Sequence, residues 1–437
     1  MGEKSVAQPV GRFRVVASTP VWEVSGVNVF TANLLRGLAQ RGIEGEVLLT
    51  DPDSANALPM PMDADLRVSR LAYRRWENFP TRWKRLANYL DERAPCIYLP
   101  NYDYRFSPAS AFVEAGVRTV GIVHSDDPVH YEHAARMGSW WSAVVAVSGA
   151  IGTELRNRQP DLADRQAIIP YGVRIPAQKP ERQAHEGPLR IVYAGRLVQP
   201  QKRVLDLPRI AAALTERGTP FVMRIVGSAY EGSVRDQLMA DSEPFIRNGS
   251  MKYLGALPNE EVYAIYEDSD VVILTSEFEG LPVTLLEAMG RGCIPVVTDI
   301  PSGIPEVVKH EESGLLVPVG NIQAFAEHIT RLHQDYALRS RLSEGAYRAV
   351  DRGHYRIEDM VDRYMRVFER VLSMPPARRG QPEQIWDIRP PDVRRVEMLP
   401  TVLGLPLRAA VHVMRTAKWK TINGSKRALR LLGVQVR

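Results

Sequence analysis

Cysteine is almost absent: Cys96 and Cys293 are the two in 437 residues, far apart and without metal-ligand spacing. A disulfide framework or zinc ribbon is thereby excluded, and a reducing cytoplasm is the simplest setting. Long hydrophobic runs are lacking too. No stretch of about 18 apolar residues occurs, so no membrane-spanning helix is expected. Met1-Gly2-Glu3-Lys4-Ser5-Val6 lacks an apolar signal region, and Val6 stands where a myristoylation pattern needs Ser or Thr. No Ser-His-Asp or Cys-His order of a hydrolase stands out, and no solenoid repeat is visible. Acidic residues disappear after Glu397. From Pro376 onward thirteen Lys and Arg face four acids, so the net charge of +5 belongs to the tail and the body before it is mildly acidic.

What is present is a soluble, globular composition, with 45% apolar and 24% charged residues. The length allows two or three domains of roughly 150 residues. Two halves emerge. The first opens on the strand Arg12–Ala17, followed by a loop with Ser25 and Gly26. A helix comes next, with Phe30, Leu34, Leu35 and Leu38 on one face, and Gly42 closes it. Further strands are expected at Val47–Leu49, Cys96–Leu99, Thr119–Val123 and Ala143–Val147. A polar, proline-bearing linker spans Pro176–Pro188. The second half restarts at Arg190–Ala194 and continues through strands at Phe221–Val226, Met251–Leu254, Val271–Leu274 and Ile294–Val297. The helix from Ile357 to Leu372 is expected to close it. Strands alternating with helices imply parallel, doubly wound sheets with sites at the carboxyl ends of strands. The expected domains are 11–180, 187–372 and a basic, partly helical tail, 373–437.

The most informative segment runs from Ser276 to Gly290. It follows an apolar strand and opens a helix at Pro282, where a fixed φ and missing N–H do no harm. Leu285, Leu286 and Met289 share an inward face, and Thr284 and Glu287 share another. Glu279 lies in the preceding loop. Two carboxylates thus flank free backbone N–H groups at a helix start, an arrangement suited to an anion surrounded by hydroxyls. An ordinary strand-to-helix turn with helix-N-terminal acids is the plain alternative.

Several segments together resemble GT-B-fold glycosyltransferases, specifically the large retaining family 4 (glycosyltransferase group 1). In the second half they are Ala194-Gly195-Arg196-Leu197 with Lys202, Leu254-Gly255-Ala256-Leu257-Pro258, the pair Glu279 and Glu287, and Ser313–Pro318. In the first half they are His124 at a strand end, Ala146-Val147-Ser148 and Ile169–Val173. The resemblance covers about residues 12–372. It implies an α/β GT-B fold, two Rossmann-like domains facing a cleft, with a basic C-terminal tail added. It also implies transfer of a sugar from a nucleotide-diphosphate donor to an acceptor hydroxyl, with retention and without a metal or other cofactor. Arg196 and Lys202 would hold the phosphates, Glu287 the ribose hydroxyls and Glu279 the transferred sugar. The amides of Gly280, Leu281 and Val283 would assist, Pro282 supplying none. Leu257 would lie near the base. His124 would place the reacting carbon, and Gly26 would approach the phosphates. Three departures from the family pattern stand out: Ser25 replaces one of a usual glycine pair, Tyr171 stands where many relatives have Asn, and Gly227-Ser228-Ala229-Tyr230 departs from the usual glycine-rich form.

Other patterns were weighed against this one. Asp51-Pro52-Asp53, Asp63-Ala64-Asp65 and Asp268-Ser269-Asp270 have a D-x-D form that can carry a metal in a different glycosyltransferase fold, but Asp268 and Asp270 look like turn acids. Asp126 and Asp127 are expected to cap the turn after His124, itself either a structural donor or a site residue. In the tail, Leu407, Val411 and Met414 fall at helical spacing opposite Arg408, Arg415 and Lys418. Such a helix suits an anionic membrane surface on the cytoplasmic side, where each cation contributes about 1 kcal/mol, or packing against the body. No nucleic-acid recognition motif accompanies the charge. The expected partners are a nucleotide-diphosphate sugar and a glycan, lipid-linked or small-molecule acceptor. A sugar-nucleotide epimerase and a non-catalytic membrane scaffold remain as alternatives.

Overall fold

The central strands of the first half, Cys96–Pro100, Val117–Val123 and Ala143–Ala146, are buried along their whole length, as suits parallel strands covered on both faces. In the computed structural model the strands of this half form one sheet. It comprises β1 (Arg14–Thr19), β2 (Glu44–Leu49), β3 (Arg67–Arg70), β4 (Cys96–Pro100), β5 (Val117–Val123), β6 (Ala143–Ala146) and β7 (Gln166–Ile168). The structure describes residues 13–400 apart from 24, 52–64, 75, 182–186, 230–231 and 377–384. The strand order is β3-β2-β1-β4-β5-β6-β7, with every pairing parallel. The second half repeats the plan with β8 (Leu189–Ala194), β9 (Phe221–Val226), β10 (Met251–Gly255), β11 (Val271–Leu274), β12 (Ile294–Thr298) and β13 (Leu315–Val317). Their order is β10-β9-β8-β11-β12-β13, again parallel.

In each sheet the winding reverses direction beside the first strand of its half, between β1 and β4 and between β8 and β11. The loops that leave the carboxyl ends of neighbouring strands diverge there and open a crevice. The two crevices face each other: the Asp126 N–H of the first half donates to the Glu279 carbonyl of the second at 3.3 Å. The fold is thus two Rossmann-like α/β domains meeting at a cleft.

One helix departs from expectation. Ile357–Ser373 follows the second half in sequence but packs on the first. Phe368 meets Phe13 edge to face at 6.1 Å, and the Arg118 guanidinium donates to the carbonyls of Val371 and Met374, both at 3.0 Å. Its buried face is Met360, Val361, Tyr364, Val367, Phe368 and Val371. Burying such side chains contributes roughly 1.5–3 kcal/mol each, enough to decide which half the helix joins. Gly37 permits the contact, since a Cβ there would lie 2.4 Å from Val361 Cγ2. The chain then stays on the first half: Asp392 pairs with Arg105 at 3.3 Å, and the Asn78 amide donates to the Leu399 carbonyl at 2.9 Å. The halves are therefore joined twice, by the 169–181 crossing and by this returning helix.

No helix among the described residues is long and apolar enough to cross a membrane. The expected tail helix within 405–420 lies outside the described residues, as do Asp53 and Asp63.

Candidate active site

On the first half, β1 leads into a loop shaped by Asn28, whose amide donates to the carbonyls of Val21 at 3.1 Å and Glu23 at 2.9 Å. Ser25 caps the helix Gly26–Ala39 by accepting the Asn28 N–H at 3.3 Å, a short polar side chain meeting an otherwise orphan donor. Gly26 thereby becomes the first helical residue and faces Val283 of the second half, 3.8 Å from where a Cβ would sit.

His124 follows β5 and is buried. The Asn101 amide nitrogen donates to Thr31, so the Asn101 carbonyl oxygen faces His124 and accepts from Nε2–H. Nδ1 is left to accept from the Tyr171 hydroxyl at 2.7 Å. The ring lies parallel to Tyr171 and edge-on to Phe30. Burial pushes its pKa well below the usual histidine value, with His130 nearby acting in the same direction. His124 is thus a neutral ring with a fixed tautomer and both nitrogens engaged. The position confirms a strand-end histidine facing the cleft. A sugar hydroxyl at Nδ1 would have to displace the Tyr171 hydroxyl. Behind it, His130 bonds to the Tyr104 hydroxyl at 2.9 Å, and burial pushes its pKa down to about 4. Asp127 caps the helix Pro128–Met137 through the Val129 N–H at 3.1 Å. Asp126 accepts from the Tyr131 hydroxyl at 2.7 Å.

On the second half, β8 delivers Gly195 and Arg196 to the cleft. Gly227, at φ 145°, passes so close that a Cβ would lie 1.8 Å from the Gly195 carbonyl oxygen. The Arg196 guanidinium donates to the Gln201 side-chain carbonyl at 3.0 Å. The short helix Gln199–Lys202 presents Lys202, tied down where the Thr275 hydroxyl donates to the Lys202 carbonyl at 2.8 Å. Its ammonium forms an ion pair with the buried Glu279 carboxylate, which also accepts from the Ser276 hydroxyl at 2.6 Å. Pairing is what makes such burial tolerable. Gly280 lies against the first half, where a Cβ would come within 2.1 Å of the His124 carbonyl oxygen. Pro282 precedes the helix Val283–Met289, one residue later than expected.

These elements enclose a cavity of about 490 Å³ bordered by residues of both halves, within the range of small-molecule sites. Gly26, His124, Arg196, Lys202, Glu279, Gly280, Leu281 and Val283 all line it. Leu257 and Glu287 do not. Leu257 is half-buried against the core. Glu287 is buried on the Val283–Met289 helix and accepts from the Tyr263 hydroxyl at 3.1 Å. Burial pushes its carboxyl up to about 7, opposed by that hydrogen bond and by Arg291 and Arg174.

Sequence reasoning missed Asn101, Tyr102, Gln201 and Tyr263. Asn101 and Tyr102 follow β4 and are brought in by the meeting of strand ends, Gln201 sits beside Lys202 on its short helix, and Tyr263 reaches Glu287 from the helix Asn259–Glu267. The D-x-D pair Asp268 and Asp270 bridges Arg190 at 2.8 Å each, and Asp268 also holds Arg224 at 2.8 Å. Arg190 opens β8, so this cluster staples the sheet end opposite the cleft. Asp51 pairs with Arg105 and Asp65 with Arg36. Among the described residues no group of three or more His, Cys, Asp or Glu is placed to hold a metal.

Comparison with known proteins agrees with this architecture. Residues 175–349 match the family model described as glycosyl transferases group 1, and residues 24–175 match that of glycosyltransferase family 4. The amylovoran biosynthesis glycosyltransferase AmsK of Erwinia amylovora is 35% identical over 163 residues, 36% of this chain and 39% of that protein. The N,N'-diacetylbacillosaminyl-diphospho-undecaprenol alpha-1,3-N-acetylgalactosaminyltransferase of Campylobacter jejuni is 31% identical over 129 residues, 30% of this chain and 33% of that protein. The chain thus spans little more than a third of the length of these curated relatives. Among solved structures, Anabaena Alr3699/HepE in complex with UDP and glucose superposes with a TM-score of 0.66 at 15% identity, covering 82% of this chain and 100% of that one. That likeness establishes the GT-B fold.

Proposed function

We propose that this chain, matched from residue 24 to 349 by paired glycosyltransferase family models, transfers a sugar from a nucleotide-diphosphate donor to an acceptor hydroxyl with retention. The observation that carries the reading is the convergence of Arg196, Lys202 and Glu279 on one cavity between two Rossmann-like halves. The donor lies on the second half. Its diphosphate takes the Lys202 ammonium from Glu279 and lies beside Arg196, and the released Glu279 carboxylate accepts from hydroxyls of the sugar. The amides of Gly280, Leu281 and Val283 are the neighbouring donors. Glu287 receives the ribose hydroxyls, and the Leu257 segment lies by the base.

As the bond from the anomeric carbon to the diphosphate breaks, negative charge grows on the leaving oxygen. Two fixed cations stabilise it without reorganising. The acceptor oxygen forms the new bond, and its proton passes to the departing diphosphate. His124 does not serve as the base, since its Nδ1 already accepts from Tyr171. It positions: its carbonyl backs Gly280 and its ring walls the cavity. Closing the halves excludes water that would otherwise hydrolyse the donor. These side chains supply the positive charge themselves, and the reading includes no metal.

The relatives' names support a role in polysaccharide or glycolipid biosynthesis, with a lipid-linked acceptor as one option. The basic tail would then hold the enzyme at the inner face of an anionic membrane. The test is calorimetric binding of UDP, GDP and ADP, with EDTA present, to the full chain and to Lys202→Ala. Tight binding of one nucleotide, weakened about tenfold or more in the variant, supports the site and names the base. No binding by folded protein overturns the reading and favours a scaffold. If the donor sugar is altered in a mixture without acceptor, the enzyme is an epimerase.

A further inference from the structure

Tyr102 combines three features. It follows β4, at the sheet's crossover point, and borders the cleft cavity. The residue is 43% exposed, although most large apolar side chains of the half are buried. Its φ is 58°, in the left-handed region that disfavours a bulky side chain.

The neighbours impose that conformation. The Asn101 N–H donates to the Ser18 carbonyl at 2.9 Å, and the Asn101 side chain is held between His124 and Thr31. Asp103, fully buried, accepts from the Thr50 hydroxyl at 2.9 Å, and its carbonyl accepts the Ser107 N–H at 2.9 Å. Two residues anchored inward leave the one between them turned outward. Strain held by such over-determined surroundings gathers at ligand clamps. The ring also has a firm backing. Tyr104 lies 5.2 Å and His130 5.5 Å from it, centroid to centroid, and those two are bonded to each other. Arg196 lies within electrostatic reach of the Tyr102 hydroxyl.

We propose that Tyr102 is the stacking platform for the acceptor's sugar ring, receiving the apolar C–H face of a pyranose on the first-half side of the cleft. This rests on the transferase reading. The charged groups assigned to the donor stand on the opposite wall, so a flat, neutral, pre-ordered aromatic surface on this wall suits the second substrate. A rigid tyrosine offers contact area with little ordering entropy, and its hydroxyl is a polar handle.

The test is saturation-transfer NMR on the full chain with methyl glycosides of glucose, galactose, mannose and N-acetylglucosamine, with and without UDP or GDP. The proposal expects transfer to the ring C–H protons of at least one glycoside. Affinity for it falls tenfold or more in Tyr102→Gly and Tyr102→Ala and is kept in Tyr102→Phe, with nucleotide affinity equal in all four proteins. Glycine accepts the positive φ, so Tyr102→Gly is expected to melt no lower than the parent, and a lost signal is then not lost folding. Absence of any glycoside signal from the parent overturns the proposal. So does equal binding by Tyr102→Gly. A fall in nucleotide affinity instead would assign the ring to the donor's base and overturn it too. Failure of the transferase reading shows separately, as a parent protein that binds no nucleotide.

Discussion

The two walls of the cleft are built from opposite chemistry. The second half contributes Arg196, Lys202 and Glu279, two cations and a carboxylate fixed on loops at the ends of β8 and β11. The first half contributes the rings of His124, His130, Tyr171 and Tyr102, with the carboxylates Glu23 and Asp127 beside them and no Lys or Arg among its described lining residues. Burial holds both histidines uncharged through the physiological range, their pKa values lying well below 6.5 and at about 4. A diphosphate needs fixed charge, whereas a sugar needs shape, hydroxyl partners and an apolar face. The contrast shows how one fold, used twice, serves two substrates. The strand ends are equivalent, and the residue types placed on them are not.

The sharpest way to break the contrast is to remove its carboxylate. Glu279→Ala is expected to lower turnover by roughly 100-fold or more, the scale of losing a polar contact made chiefly in the transition state, while circular dichroism shows native folding. Unchanged turnover would remove Glu279 from the chemistry and leave the charged wall without its proposed purpose.

Next comes the seam between the walls, where two glycines face across it with unequal room. A Cβ on Gly280 would collide with the His124 carbonyl oxygen, whereas one on Gly26 would make an ordinary contact with Val283. Gly280→Ala is expected to oppose closure by about 2 kcal/mol, a typical overpacking cost, lowering kcat/KM roughly 30-fold. Gly26→Ala should stay within about threefold of the parent. Equal effects in steady-state assays would mean that the halves do not close on this contact.

The smallest expected effect on activity is a pH dependence set by Glu287. Glu287 has a folded pKa of about 7 against 4.5 as its ordinary value. The folded protein therefore holds its proton between those values while the unfolded chain has released it. The contribution of Glu287 to stability falls as pH rises from about 4.5 to about 7 and changes no further above, a span on the order of 3 kcal/mol, while the buried neutral histidines contribute in the opposite sense below about 6.5. In urea titrations across the window, Glu287→Gln should lose that falling contribution, so its stability changes more positively with pH than the parent's. Nucleotide affinity should run the other way in the parent, rising from pH 6 to 8 as the carboxylate forms and accepts ribose hydroxyls. An unchanged slope in the glutamine variant would place the titration elsewhere.

Much of this was legible along the chain. The apolar runs that became β5, β6, β8, β11 and β12 announced themselves, and Arg196, Lys202, Glu279 and Gly280 lie near strand ends in short, recognisable segments. The helix Ile357–Ser373 was legible as a helix but not in its partner. Its periodic face says that it packs, and only the groove beside Phe13 and Gly37 says where. The site's neutral wall was least legible. His124 could be picked out by its strand, yet its tautomer is set by Asn101, 23 residues earlier, and by Tyr171, 47 residues later. Tyr102 carries no motif and owes its exposure to the anchoring of its two neighbours.

The sequence by itself therefore determined two parallel sheets, the charged residues at the ends of their strands and the basic character of the tail. Local periodicity and residue type are enough to specify those features. Tertiary structure alone decided that Lys202 pairs with Glu279, that His124 is neutral and fully bonded, that Glu287 is buried off the cavity's lining and that Tyr102 stands exposed at its border. Each of these depends on which distant backbone and side-chain groups share a low-dielectric space, and a linear pattern carries no record of that.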